Sequence, residues 1–82
     1  MGIWLAPTAH ADPQDQALLS FLAANNVAVD PTTAINAAHV ACAQITNGQT
    51  PVVVNSVVAR EFPTLNGNEY WISAAARKAY CP

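Results

Sequence analysis

Proline sets the frame of this chain. Three times a capping residue is followed by proline and then by a run with helical spacing, at Asp12-Pro13, Asp30-Pro31 and Thr50-Pro51. An aspartate or threonine before a helix accepts hydrogen bonds from free backbone amides. Proline suits the first helical position, because the N–H it lacks would have no partner there. Each pair therefore marks a helix start, and the intervals allow only short helices joined by short loops.

The residues between these starts carry the matching period. After Pro13, the side chains of Asp15, Leu18, Leu19 and Leu22 share one face, with Asp15 placed to favour the positive end of the helix dipole. This helix should stop near Asn25-Asn26. A second runs from Pro31 to Asn47-Gly48 with Ile35, Ala38, Cys42 and Ile45 as its inward stripe, and Gly48 supplies the left-handed closure. The third segment, from Thr50-Pro51, contains Val52, Val53, Val54, Val57 and Val58, which favour strand by propensity. Asn55-Ser56 break strict alternation, however, while Val54, Val57, Val58 and Phe62 keep the helical period with only Glu61 out of place, so helix is expected until Pro63. Asn66-Gly67-Asn68-Glu69 has the capping-box form. It opens a last helix, about Gly67 to Tyr80, that groups Trp71, Ile72, Ala75 and Ala79 and sets Glu69, Ser73 and Arg77 on the other side. The Asn-Gly pairs at 47–48 and 66–67 are also hairpin signals, but no alternating strands flank them. The expected fold is all-α, a small bundle of about four helices with one disulfide, in a single domain over residues 12–82.

A chain of 82 residues has one core. Its composition is 52% apolar and only 10% charged, with net charge −2. High apolarity argues against intrinsic disorder. The only cations are Arg60, Arg77 and Lys78, too few to neutralise a row of phosphates or to dock on an anionic membrane, so no nucleic-acid partner is expected. The longest run of consecutive valines, Val52 to Val54, is far short of a membrane span. Alanine fills much of the inner surface, which lets helix axes approach closely but leaves a thin core.

Met1 to Ala11 is uncharged and ends in Ala9-His10-Ala11, the small-x-small pattern that signal peptidase accepts. It lacks a basic leader and a full apolar core, so it reads as a residual signal-peptide-like segment or an ordinary flexible terminus. Export fits the cysteine content. Two cysteines in a small exported chain are most simply one disulfide, Cys42 to Cys81, tying the last helix to the middle one. A loop of about 40 residues corresponds to roughly 4 kcal/mol in the chain-entropy picture. That is comparable with the whole stability expected of so small a domain, roughly 4 to 10 kcal/mol.

Other chemistry is sparse. His39 and Cys42 lie three apart on one helix, and with Cys81 and His10 they could be read as a zinc set. His10, however, falls in the segment expected to be lost, and exported cysteine pairs oxidise. A catalytic Cys42 would need an exposed, electropositive site rather than an apolar stripe. Gly2, Gly48 and Gly67 are too scattered for a phosphate loop, and Gly-x-Ser-x-Gly is absent. Asp12, Asp15 and Asp30 sit at helix starts, where capping is the commoner role. No catalytic residue, no cofactor and no metal ligand is therefore assigned, and a non-enzymatic protein is expected. Trp71 reads as a core anchor with Tyr70 and Tyr80 at its edges. The same aromatics with His39 form a possible interaction patch for an unknown protein or an apolar ligand. A lipid or haem carrier, with His39 or a tyrosine as iron ligand, would need a sizeable apolar cavity near Trp71 and His39.

Taken together, Ala11-Asp12-Pro13-Gln14-Asp15-Gln16, the Ala38-His39-Val40-Ala41-Cys42 run followed by Gly48, and the close Ala79-Tyr80-Cys81-Pro82 resemble small exported mycobacterial proteins of the family named domain of unknown function 732. The resemblance spans nearly all of residues 12–82. It implies that Cys42 and Cys81 match the family's paired cysteines, and that the fold is a small helical domain of the cell envelope or culture medium. It supplies no activity, ligand or catalytic residue. The three valines after Pro51 depart from the more polar helix start usual in that family, which leaves the third helix least supported by the resemblance.

Overall fold

In a computed structural model, which describes residues 12–82, the chain forms four α-helices and one short 3-10 turn. The helices are α1 (Pro13–Ala24), α2 (Pro31–Thr46), α3 (Pro51–Glu61) and α4 (Glu69–Ala79), with the 3-10 turn at Pro63–Leu65 between α3 and α4. There is no strand among the described residues. The expectations about residues 1–11, including His10, lie outside them.

The helix starts follow the proline code. The Asp12 carboxylate accepts from the Gln14 amide at 2.7 Å, Asp30 from the Thr33 amide at 3.1 Å, and the Thr50 hydroxyl from the Val53 amide at 3.4 Å. Each following proline occupies the first helical position. The stops are equally specific. Gly48, at φ +81°, closes α2 with bonds from its own amide to Ile45 and from the Gln49 amide to Gln44. Asn26, at φ +59°, closes α1 in the same way, with its amide on Ala23 and the Val27 amide on Leu22. These are the paired bonds of a Schellman stop, which satisfy carbonyls that the helix leaves open.

The interior is built on alanine. Of the thirteen buried apolar residues described, seven are Ala34, Ala37, Ala38, Ala41, Ala75, Ala76 and Ala79. The larger fully buried side chains are Leu18, Leu65, Ile72, Val54 and Val58. The helices α2 and α4 carry all seven of these alanines and form the most extensive helix pair, because methyl-sized side chains let the two backbones come close.

Four local expectations are corrected. The buried stripe of α2 is Ala34, Ala37, Ala38 and Ala41, while Ile35, Cys42 and Ile45 sit half-buried at its margin. The smallest side chains face the nearest helix, and the bulkier ones cover the seam. Ser73, expected on the outer side of α4, is buried and donates to the Asn55 side-chain oxygen at 2.7 Å, so its polarity is satisfied across the α3–α4 contact. The capping box at Asn66 does not form: Asn66 adopts a left-handed conformation after the 3-10 turn, and α4 starts at Glu69 behind Asn68 without a side-chain cap. The turn itself gives Leu65 a place in the core. Trp71 is half-buried, at the edge of the core rather than within it.

Candidate functional site

Three features carry the chemistry of this surface. The first is at the chain end. Cys42 on α2 and Cys81 after α4 form a disulfide with Cα atoms 5.9 Å apart, within the ordinary range for such a bond. Local structure aims Cys81 at its partner: the Ala76 carbonyl accepts from both the Tyr80 amide at 2.8 Å and the Cys81 amide at 3.0 Å, which tightens the end of α4 and turns the chain toward α2. One residue earlier, the Tyr80 hydroxyl donates to the Asp15 carboxylate of α1. Adjacent residues thus bind the end of the chain to two different helices.

Around Tyr80 the electrostatics are one-sided. Its phenol is pushed well above its ordinary value, first by burial, then by the hydrogen bond to Asp15 and the charge of that carboxylate, with a further contribution from Asp12. The exposed His39 imidazole stacks on the Tyr80 ring with centroids 4.3 Å apart. Sequence reasoning took Asp15 only for a dipole group. Its place on the Leu18–Leu22 face was the available signal that its carboxylate is turned inward and needs a donor.

The second feature is an aromatic cluster farther back along α4. Trp71 packs against Phe21 of α1 at 6.3 Å and edge-on against Tyr70 at 5.3 Å, and the Lys78 ammonium lies 5.8 Å from the Phe21 ring centre. The expected patch of Tyr70, Trp71, Tyr80 and His39 is therefore divided. Tyr70 and Trp71 share one ring group and His39 and Tyr80 another, with Tyr80 about 13 Å of helix rise beyond Trp71.

The third is a groove of about 320 Å³, partly open to solvent, between α3 and α4. Pro51 and Asn55 line it from α3, and Tyr70, Ser73, Ala74 and Arg77 from α4. The spacing explains the lining, since residues three and four apart share a helix face. Neither Trp71 nor His39 lines this groove, so it is not the cavity that a carrier built around those two residues would need.

Both cysteine sulfurs are committed to the disulfide, which removes them from any zinc set with His39. No group of three or more His, Cys, Asp or Glu among the described residues could hold a metal ion. No helix among them is long and apolar enough to cross a membrane.

Fold and cross-link define a small all-helical domain whose C-terminal end is stapled to its second helix. The chain belongs to the family described as Protein of unknown function (DUF732), whose model matches residues 14–82. No curated protein and no solved structure matches it.

Proposed function

We propose that this chain works outside the cytoplasm, exported or held in the cell envelope, as a non-catalytic binding module. The observation that carries the reading is the Cys42–Cys81 bond across an interior made largely of alanine. Disulfides persist where the surroundings are oxidising, and small domains with limited cores use them to reach stability. Export through a signal cleaved at Ala9-His10-Ala11 and a mycobacterial source fit the motif resemblance described above. A binding role fits the exposed apolar side chains Val52, Val53 and Tyr70, which are 74%, 39% and 61% accessible.

The test follows the chain in a cell that makes it. Fractionation with thiol-trapping reagents should recover it from the envelope or the medium with both cysteines protected until a reductant is added. Recovery from the cytoplasm with two alkylatable thiols would overturn the reading.

A further inference from the structure

We infer that the α3–α4 groove is a docking site for an acidic peptide segment of a partner protein, in which an apolar side chain rests on Tyr70 and a carboxylate two to four residues away meets Arg77. This deepens the binding-module reading and rests on it.

The groove has two chemically distinct ends. One is the Tyr70 ring, which is 61% exposed although it is aromatic, and Pro51 adds an apolar ring to the lining from α3. The Ala74 methyl continues this surface along α4. On the floor, the Ser73 hydroxyl and the Asn55 side-chain oxygen already bond each other at 2.7 Å. The other end is Arg77, whose side chain has no ion pair, hydrogen bond or ring contact with any other described residue. The only positive charge lining the groove is thus left for a ligand to match.

Length and shape select the occupant. Tyr70 and Arg77 are seven residues apart on α4, about 10 Å of helix rise, which an extended peptide spans in about three residues. A partly open groove of about 320 Å³ covers one side of what lies in it, whereas small-ligand sites enclose most of their ligand. One guanidinium is too little for a polyphosphate backbone and suits a single carboxylate, to which arginine can present two parallel N–H donors. Tyrosine and arginine are also among the residue types enriched at the hot spots of protein interfaces.

The experiment is selection of a displayed library of random nine-residue peptides on the oxidised full chain, followed by titration of the recovered peptides into isotopically labelled protein. Recovered sequences should hold Asp or Glu two to four positions from an aromatic, proline or aliphatic residue, and they should shift the amides of residues lining the groove. Arg77→Glu should weaken them at least tenfold and, in a fresh selection, turn the preference to Lys or Arg; Tyr70→Ala should weaken both sets. Arg77 and Tyr70 are exposed, so both variants should retain the wild-type circular dichroism, and Arg77→Lys should partly restore binding. Failure to recover any binder, or peptides indifferent to Arg77→Glu, would overturn the site. Peptides that shift only residues near His39 and Tyr80 would overturn the groove while leaving the binding-module reading standing. A dimer in light scattering that Arg77→Glu dissolves would make the occupant a second copy, and that too overturns the proposal.

Discussion

The Tyr80 hydroxyl donates to the Asp15 carboxylate, joining positions 65 residues apart in sequence and placing the first helix against the residue that precedes the disulfide. Asp15 is only 9% exposed, so its charge depends on this donor more than a surface carboxylate would. Removing the hydroxyl with Tyr80→Phe should cost about 1 to 3 kcal/mol in denaturant unfolding. Asp15→Leu paired with Tyr80→Phe should cost less than the two single changes summed, because the double variant leaves no unpaired acceptor. Additive costs would mean that the bond contributes nothing specific.

The same contact sets a response to alkali. The phenol holds its proton more tightly when folded, so its contribution is fully present below the ordinary tyrosine value near pH 10 and is lost as pH rises through the higher folded value. Stability should therefore fall with rising pH above about 10, more steeply than in Tyr80→Phe. In a Tyr70→Phe background the tyrosinate absorbance reports Tyr80 alone. It should appear in the folded protein only at higher pH than in the unfolded chain, and coincident curves would refute the burial of this phenol.

Opening the Cys42–Cys81 bond should be the most damaging single change. With the two positions 39 apart in sequence, the loop-entropy estimate is roughly 4 kcal/mol. A domain of this size then loses roughly 15 to 30 °C in melting temperature. Calorimetry of the Cys42→Ser, Cys81→Ser double variant checks this, and a loss below about 5 °C would show that the helices hold without the bond.

Core variants should separate close approach from bulk. Ala38→Leu inserts a side chain where α2 is fully buried and should cost about 1 to 3 kcal/mol or more, since the helices must separate to admit it. Leu18→Ala removes one of the few large buried side chains and should cost about 2 to 5 kcal/mol. Chemical denaturation of both variants measures these costs, and a neutral Ala38→Leu would mean that the α2 seam has slack.

Most of the helical frame was legible because capping and stopping are local events. Asp12, Asp30, Thr50 and Gly48 act within a few residues of themselves, and the structure uses each as its chemistry suggests. The disulfide was legible from two cysteines in a small chain read as exported. The inner faces were read less well, because periodicity weighs side chains by hydrophobicity, whereas the α2–α4 seam selects them by size and prefers Ala37 and Ala41 to Ile35 and Ile45. Tyr80 with Asp15 and Ser73 with Asn55 are contacts between helices, and no local spacing encodes such partners. The groove was missed for the same reason, since its two walls meet only when α3 lies against α4.

An interior more than half alanine has fewer rotamers to freeze, so closing it costs less side-chain entropy than closing a leucine core. It also leaves scarcely any room for drift, because alanine can shrink only to glycine and cannot grow without moving a helix axis. Change in such a chain is channelled outward, toward the exposed faces on which two relatives with the same staple can differ.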